Sequence, residues 1–218
     1  MVVLEAHDLW KAYKTLPVLK GVDLTIQKGE VVSIVGASGA GKSTLLQLLG
    51  TLDAPDKGDI TINGVNCFSL SNNALAKFRS EQIGFIFQFH NLMPEFTAFE
   101  NVCLPGQIAG KPKKIIEERA NELLVLLGLE SRMNHKPSQL SGGEQQRVSV
   151  VRSLINEPTI VFADEPSGNL DSKNAEELHR MFFSLRDQFN QTFVIVTHNE
   201  ALASISDRRL EMVDGVIV

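Results

Sequence analysis

One glycine-rich segment limits the fold of this chain more than any other feature of its sequence. It follows an apolar run from Val31 to Val35 and leads into a run of helical character from Thr44 to Leu49. The segment reads Gly36-Ala37-Ser38-Gly39-Ala40-Gly41-Lys42-Ser43-Thr44. A strand, a turn with the spacing Gly-x4-Gly-Lys-Ser and a helix form a P-loop in its expected setting. The spacing of the segment and the strand and helix that flank it all agree with a P-loop, which disfavours a glycine-rich loop without a ligand.

The residue types of this segment suit the phosphate chain of a nucleotide together with Mg2+. Its glycines let the backbone bend so that successive N–H groups surround phosphate oxygens, and the following helix adds the positive end of its dipole. Lys42 is expected to contact the β- and γ-phosphates, and the Ser43 hydroxyl is expected to hold Mg2+.

The bulk composition is that of one ordinary globular domain. The chain has 218 residues, of which 43% are hydrophobic and 22% charged, enough for one substantial core. A net charge of -5 argues against nucleic acid as a partner. We find neither a signal-peptide pattern nor an apolar run of about 20 residues, so work at a membrane would need another chain as an anchor. Cys67 and Cys103 have no paired spacing, and we interpret both as reduced packing residues of a cytosolic protein.

Periodicity and turn signals predict alternating strands and helices. Continuous apolar runs indicate strands that are covered on both faces. Strands are expected at Val2 to Ala6, Val22 to Ile26, Val31 to Val35, Asp59 to Asn66, Ile83 to Phe87, Thr159 to Ala163, Phe193 to Val196 and, as a hairpin, Arg209 to Val218. Helices are expected at Ser71 to Gln82, from Thr97 onward, at Pro112 to Leu127 with Ile115 facing inward, from Ser141 to about Asn156, and at Ser172 to Phe189.

Polar residues directly follow three of the apolar strands, namely Gln88, Asp164-Glu165 and Thr197-His198. Ligands of open α/β sheets lie beyond the carboxyl ends of the strands. We therefore expect Gln88 to reach a phosphate-bound metal and Asp164 to contact Mg2+. Glu165 suits a base that orients the attacking water. His198 is expected at the same edge of the sheet.

Two further features have open interpretations. Tyr13 lies between the first two predicted strands, where it could stack on a nucleotide base or take part in packing. Ser141 is a good N-cap for the helix that follows it, and Gly142 and Gly143 leave the first N–H groups of that helix uncovered. This helix start is either an ordinary cap or a second anion site.

With the P-loop, Gln88, Leu140-Ser141-Gly142-Gly143-Glu144-Gln145-Gln146, Asp164-Glu165 and His198 in this order, the whole chain resembles an ABC-type ATP-binding cassette. The resemblance implies an α/β P-loop NTPase (RecA-like) core with an N-terminal antiparallel β part and a helical subdomain at about residues 90–155. It also implies an ATPase in which Tyr13 stacks on adenine, Gln88 links the metal to a membrane partner, and Glu165 is catalytic. His198 would contact the γ-phosphate, Lys42 would help to offset the transition-state charge, and Ser167 to Asp171 would contact a second copy.

The same resemblance implies partners. Two copies would join head to tail around two ATP molecules, each held by one chain's P-loop and by Ser141, Gly142 and Gly143 of the other. Two integral-membrane permease subunits would dock on the segment from Phe89 to Phe96, at the cytoplasmic face of the inner membrane.

The segment from Phe87 to Val102 is similar to that of the lipoprotein-releasing branch of this family. Met93, Phe99 and Ser167 stand where Leu, Leu and Thr are more usual in the branch. Two alternatives stay open on the sequence alone. One is the ATPase of a macrolide-type efflux system, and the other is a regulatory cassette of the cell-division type that transports nothing.

Overall fold

The computed structural model describes residues 1–218 as an α/β structure built on two sheets. In chain order the strands are β1 (Val2–Tyr13), β2 (Leu16–Gln27), β3 (Val31–Val35), β4 (Lys57–Ile62), β5 (Val65–Asn66), β6 (Ile83–Phe87), β7 (Ile160–Asp164), β8 (Thr192–Val196), β9 (Arg208–Val213) and β10 (Val216–Ile217). The α-helices are α1 (Lys42–Leu49), α2 (Asn72–Gln82), α3 (Ala98–Ile108), α4 (Lys113–Leu126), α5 (Gly142–Leu154), α6 (Ser172–Phe189) and α7 (Glu200–Ile205).

The six-stranded central sheet brings the carboxyl ends of four strands to one edge. Its order is β10-β9-β3-β8-β7-β6, and all neighbours run parallel except β10 against β9. Phe87 pairs with Asp164, and both Asp164 and Ile34 pair with Val196. The residues that follow β3, β6, β7 and β8 therefore start from one level of the sheet, where α/β proteins bind their ligands.

Both faces of the central sheet are buried, as its continuous apolar strands predict. Neighbouring residues of one strand face opposite sides of the sheet. Val32 belongs to a hydrophobic cluster with α1 and the N-terminal strands, whereas Val31 belongs to a second cluster with α3 to α6. Cys67 is buried in the first cluster and Cys103 in the second, and both are free thiols, as predicted for packing residues.

The N-terminal strands extend beyond the predicted ones and place Tyr13 differently. β1 runs to Tyr13, β2 begins at Leu16, and these two residues pair. The prediction that Tyr13 connects two strands is wrong, because β1 continues past polar residues through an irregularity at Asp8. The Asp8 backbone has a φ of 48°, and its N–H donates to the Asp23 carboxylate at 3.0 Å. With β4 and β5 these strands form an antiparallel sheet in the order β2-β1-β4-β5.

Capping boxes begin two of the helices between β6 and β7. At α3 the Thr97 N–H donates to the Glu100 carboxylate at 2.8 Å, and at α5 the Ser141 N–H donates to the Glu144 carboxylate at 2.7 Å. Each capping box supplies side-chain acceptors for main-chain N–H groups that have no carbonyl acceptor within the helix. No helix of the chain is both long enough and apolar enough to cross a bilayer.

The inward face of α4 differs from the prediction by one residue. Ile116, Ala120, Leu123 and Leu124 are buried, but Ile115, predicted to face inward, is 56% exposed. Successive residues of a helix are rotated by about 100°. Ile115 therefore lies off the i, i+4, i+7, i+8 stripe that begins at Ile116, and the prediction for Ile115 is wrong.

Candidate active site

The segment 36–44 forms a loop between β3 and α1 that depends on its glycines. Gly36, Gly39 and Gly41 have φ values of 149°, 82° and 103°, a region that residues with a Cβ rarely adopt. α1 begins at Lys42 and not at the predicted Thr44, so Lys42 and Ser43 lie in its first turn. The main-chain N–H groups of Gly39, Gly41, Lys42 and Ser43 donate to no acceptor within the chain. Free donors at a helix N-terminus are the donors that phosphate oxygens accept from.

Lys42, Ser43 and Asp164 form the ionic part of the site. Lys42 Nζ donates to Gly36 O at 2.8 Å and to Ala37 O at 2.9 Å, which holds the cation in the loop. Ser43 Oγ donates to Asp164 Oδ1 at 3.2 Å. Burial raises the pKa of Asp164, the Ser43 hydrogen bond opposes this rise, and the neighbouring Glu165 carboxylate adds to it.

These donors fit Mg2+ that is bound together with phosphate. Nowhere in the chain do three or more His, Cys, Asp or Glu side chains gather as metal ligands. The Ser43 hydroxyl and the Asp164 carboxylate are hard oxygen donors, and proteins usually bind Mg2+ through one or two such groups plus waters and substrate phosphates. The donor set therefore suits a Mg2+–nucleotide and not the bare ion.

Replacing Lys42 with Ala is expected to weaken nucleotide binding by roughly 10- to 100-fold, the range for a hydrogen bond to a charged group. Equilibrium titration with ATP and Mg2+ would measure the loss. Lys28→Ala removes an exposed lysine outside the cleft and is expected to bind like the wild type. Equal affinities for Lys42→Ala and Lys28→Ala would contradict the assignment of Lys42 to the phosphates.

The P-loop opens into a cleft of about 640 Å3 that gathers predicted residues from several strands. Its walls include Gly36, Ser38, Gly39, Gly41, Lys42, Ser43 and Thr44 from the loop, and Tyr13, Gln88, Glu165 and His198 from elsewhere. Ala37 is exposed outside these walls, and the Ala40 side chain is buried in the core. Leu16, Val18 and Val196 add the apolar part of the cleft, and no sequence signal had identified them.

Glu165 and His198 meet at the carboxyl edge of the central sheet. Glu165 Oε2 lies 2.8 Å from His198 Nδ1 and accepts a hydrogen bond from the His198 main-chain N–H at 3.3 Å. The Glu165 backbone has a φ of 46°, and its N–H donates to Val196 O at 2.9 Å. The His198 side chain is 72% exposed, so its other ring nitrogen remains open to a ligand. A carboxylate held in this way can orient a water molecule and accept its proton.

Tyr13 lies in the cleft and not in the core, since its side chain is 45% exposed there. Its hydroxyl donates to Asp53 Oδ2 at 2.9 Å, and Lys11 Nζ donates to Asp53 Oδ1 at the same distance. The Lys11 ammonium also lies 5.3 Å from the centre of the Tyr13 ring. This placement favours base stacking over core packing. Sequence reasoning missed Asp53, because Asp53 is 40 residues away from Tyr13 along the chain. It also missed Lys11, which is joined to the Tyr13 hydroxyl only through Asp53.

Gln88 is joined to the loop that follows Glu165. Its Nε2 donates to Asn169 Oδ1 at 3.3 Å, and Asn169 Nδ2 donates to Gln88 O at 3.1 Å. The amide nitrogen of Gln88 is therefore used, and its Oε1 remains available as an oxygen ligand in the cleft. Asn169 belongs to the segment predicted to contact a second copy. No sequence pattern could pair it with Gln88.

Ser141 and Gly142 are exposed and lie outside the cleft of their own chain. Ser141 Oγ accepts from the Glu144 N–H at 3.3 Å, while Gly143 is buried beside Asn174. The N–H groups of Gly142 and Gly143 donate to no acceptor in the chain. The helix start is thus an ordinary cap that also keeps two free donors, and none of its residues lines the chain's own P-loop cleft.

A buried histidine packs against the loop that follows Glu165. His179 in α6 and Ser167 are both buried, and His179 Nε2 lies 3.2 Å from Ser167 Oγ. Burial lowers the pKa of His179, and the neighbouring Glu176 partly opposes this. Nothing in the sequence singles out His179, because a lone histidine in an amphipathic helix carries no signal.

This histidine is expected to make the fold less stable in acid. The unfolded chain takes up a proton on a histidine near pH 6.5, but folded His179 takes it up only at lower pH. Its stabilising contribution is therefore complete above about pH 6.5 and falls as the pH drops below that value. His179→Gln should reduce the difference between urea midpoints at about pH 7.5 and about pH 5.5. The exposed control His7→Gln should keep the wild-type difference.

His90, whose pKa is also lowered by burial, should preserve part of the acid sensitivity in His179→Gln. If the two midpoints of His179→Gln differed by as much as those of the wild type, His179 would not be the source of the effect.

Comparisons with known proteins agree with this geometry. Residues 19–168 match the family model described as ABC transporter. The chain is 62% identical to the lipoprotein-releasing system ATP-binding protein LolD of Cytophaga hutchinsonii over 99% of both chains. It is 59% identical to the protein of the same name from Bacteroides fragilis, over 99% of this chain and 100% of the relative.

Solved structures agree with the predicted fold. A dimeric post-hydrolysis state of the ATP-binding cassette MJ0796, bound to ADP and phosphate, matches with a TM-score of 0.89 and 40% identity over 98% of this chain and 96% of that one. The cbiO1 protein of Clostridium perfringens, part of an ABC transporter complex, matches with a TM-score of 0.90 and 27% identity over 100% of this chain and 87% of that one. The predicted fold class is confirmed, and the chain belongs to the ABC transporter family.

Proposed function

We propose that this chain is the ATP-hydrolysing subunit of a membrane complex that releases lipoproteins from the inner membrane toward the outer membrane. The observation that carries this proposal is the 59–62% identity, over nearly the whole chain, to proteins named as ATP-binding subunits of lipoprotein-releasing systems. These names favour lipoprotein release over macrolide export and over cell-division regulation. The cleft supports the ATPase part, because the P-loop and the Glu165–His198 pair line one space and the Ser43 hydroxyl in that space contacts the Asp164 carboxylate.

The P-loop side of the cleft binds the phosphates in this proposal. The free N–H groups of the loop and Lys42 contact the β- and γ-phosphates of ATP. Ser43, Asp164 and the Gln88 amide oxygen would hold Mg2+, which would neutralise phosphate charge when bound. Tyr13 offers its ring to adenine.

Glu165 and His198 carry the water chemistry in this proposal. Glu165 orients the attacking water and accepts its proton, while the main-chain N–H of His198 holds the Glu165 carboxylate and the His198 ring lies beside it. The second ring nitrogen of His198 faces solvent and is free to contact the γ-phosphate. Lys42 contacts the phosphates as well. The negative charge that develops in the transition state is therefore stabilised by groups that are already in position.

A head-to-tail dimer gives the free donors of α5 a ligand. The N–H groups of Gly142 and Gly143 have no acceptor, and Ser141 lies outside its own cleft. A second copy would place this helix start over the phosphates held by the other P-loop. Both nucleotide sites are complete only in that state, so ATP would favour the closed dimer. The MJ0796 cassette, which is 40% identical, is dimeric and bound to ADP and phosphate, which supports a nucleotide-bound dimer.

The membrane partners are proposed to dock on the segment from Phe89 to Phe96, at the cytoplasmic face of the inner membrane. Phe89 is 71% exposed, and Met93 and Phe96 are exposed as well. Clustered exposed apolar side chains mark interaction sites. The segment is held in shape by Asn101, which accepts from the Met93 N–H at 2.7 Å and donates to Met93 O at 3.1 Å. We propose that residues of about 90–155 act as a helical subdomain that carries this surface.

The energetics of lipid extraction limit the role of ATP. Moving three acyl chains of about 16 carbons into water would cost roughly 40 kcal/mol, at about 0.8 kcal/mol per CH2. A motor of this kind cannot supply that directly. The membrane subunits would therefore offer the lipid an apolar cavity, with ATP driving the conformational change and the handover.

Affinity purification from detergent-solubilised membranes tests the proposal. The expected result is that the chain co-elutes with two membrane subunits of the lipoprotein-releasing type, and that the complex hydrolyses ATP. Co-elution with a single fused exporter subunit, or with a membrane partner of the cell-division type, would overturn lipoprotein release and favour the matching alternative.

A further inference from the structure

Lys11, near the end of β1, is a lysine whose charge is buried. Its side chain is only 10% exposed, and lysines are almost never buried unless their charge is paired. The Lys11 ammonium donates to Asp53 Oδ1 at 2.9 Å and to Ala54 O at 2.7 Å. A buried ion pair is by itself weak evidence for stability. What the Lys11–Asp53 pair holds in place therefore matters more than the pair itself.

The pair holds Tyr13 both at its hydroxyl and at its ring. The Tyr13 hydroxyl donates to Asp53 Oδ2 at 2.9 Å, and the Lys11 ammonium lies over the ring, 5.3 Å from its centre. Burial raises the pKa of Tyr13, and the Asp53 carboxylate that accepts its hydrogen bond adds to the rise, so the hydroxyl stays a donor. Burial alone would lower the pKa of Lys11, but Asp53 raises it above its usual value, so the ammonium stays charged.

Asp53 also attaches this ring to the helix that follows the P-loop. The Asp53 main-chain N–H donates to Gln47 O of α1 at 3.3 Å, and the N–H of Leu52 donates to the same oxygen at 2.8 Å. The first turn of α1 contains Lys42 and Ser43, which line the nucleotide cleft. The aromatic ring and the phosphate loop are thus joined to one helix. Such preorganisation lowers the cost of ordering these groups when a ligand binds.

We propose that Asp53 and Lys11 are positioning residues for nucleotide binding, which act on the base through Tyr13. This inference rests on the proposed function, because it concerns the ring that is offered to adenine there. The Tyr13 ring lines the cleft together with Leu16 and Val18, so a flat base can lie against it. A ring that is already held loses little side-chain freedom when the base stacks on it, and more of the stacking energy then appears as affinity.

β1 carries a second set of the same kind that lies outside the cleft. Asp8 Oδ1 accepts from Trp10 Nε1 at 2.6 Å, and Asp8 Oδ2 lies 2.6 Å from Lys57 Nζ. The Lys57 ammonium lies 5.8 Å from the centre of the Trp10 ring. None of these three residues lines the nucleotide cleft. The second set therefore serves as a control for the stability that such a set adds to the fold.

Equilibrium titrations of the full chain with Mg-ATP and with Mg-tripolyphosphate, which has no base, test the proposal. Tyr13→Phe, Asp53→Asn and Lys11→Met should each weaken ATP binding roughly 3- to 10-fold, a part of the roughly 5- to 150-fold that stacking of one base contributes. The same variants should bind tripolyphosphate like the wild type, whereas Lys42→Ala should bind both ligands more weakly. Asp8→Asn should bind both ligands like the wild type.

The single tyrosine of the chain gives a second readout. With ring-labelled tyrosine the protein gives one NMR signal, which ATP should shift because the base stacks on the ring, and which tripolyphosphate should leave in place. Asp53→Asn should reduce that shift at saturating ATP. Asp53→Asn should also add nothing to the loss of ATP affinity caused by Tyr13→Ala, because a positioning residue acts only through the group that it positions. If Asp53→Asn is unstable because Lys11 loses its counter-ion, Tyr13→Phe leaves the ion pair intact and still decides the question.

Three results would overturn the proposal. Wild-type ATP affinity in Tyr13→Phe, Asp53→Asn and Lys11→Met, with a loss in Tyr13→Ala, would remove the positioning role and leave the proposed function standing. Equal losses of ATP and tripolyphosphate affinity in Asp53→Asn, or the same loss in Asp8→Asn, would show that the pair only stabilises the fold. Wild-type ATP affinity in Tyr13→Ala would overturn the stacking of adenine on Tyr13 in the proposed function, and this proposal with it.

Discussion

Replacing Glu165 with Gln is expected to slow ATP hydrolysis by roughly 100- to 10,000-fold, the range for loss of a positioned general base. Gln keeps nearly the same shape and retains an oxygen that can accept from the His198 main-chain N–H, so the cleft should stay intact. It cannot accept a proton from water. ATP should therefore bind with near wild-type affinity, and the closed dimer should accumulate because the step that reopens it is blocked.

Phosphate release under single-turnover conditions and light scattering with ATP would measure the two effects of Glu165→Gln. Glu200→Gln is a matched control, because it removes an exposed carboxylate at the start of α7 that pairs with Arg209. Glu200→Gln should hydrolyse ATP like the wild type and should form no more dimer with ATP than the wild type does. Wild-type hydrolysis by Glu165→Gln would show that the base is another group.

The central sheet and most of the site could be predicted from the sequence because their signals are local. Continuous apolar runs predict strands buried on both faces, and β3, β6, β7 and β8 follow them within a residue or so. Parallel strands bring their carboxyl ends to one edge, so Gln88, Glu165 and His198 could be expected in one cleft with the P-loop. Phe87 pairs with Asp164, and Asp164 pairs with Val196. The three strands therefore end at the same level of the sheet, as this expectation requires.

The remaining features depend on contacts between distant parts of the chain. β1 continues to Tyr13 because the Asp8 N–H reaches Asp23, and no local pattern encodes that bond. The partners of Gln88 and Tyr13 are 81 and 40 residues away. Helix α7 has only six residues and is too short to show a helical period. These contacts became visible only in the folded chain.

Replacing Ser141 with Arg is expected to block the ATP-driven dimer and to lower ATP hydrolysis by roughly 100-fold or more, as for the loss of donors that stabilise the transition state. Ser141 is exposed and lies outside its own cleft, so a long side chain there leaves the P-loop untouched. In the proposed head-to-tail dimer the same side chain would collide with the nucleotide held by the second copy. ATP affinity of the single chain should therefore change little while dimer formation is lost.

Ser71→Arg is the matched control for this experiment, because Ser71 is also an exposed N-cap, accepting from the Ala74 N–H at 3.4 Å. Both variants lose one cap, at a cost of about 1 kcal/mol, and both add a cation at the positive end of a helix dipole. Only Ser141→Arg should abolish the dimer that Glu165→Gln accumulates, as measured by light scattering in the double variant. A dimer that persisted in Ser141→Arg with Glu165→Gln would mean that the start of α5 does not face the second copy, and the free donors of Gly142 and Gly143 would then need another ligand.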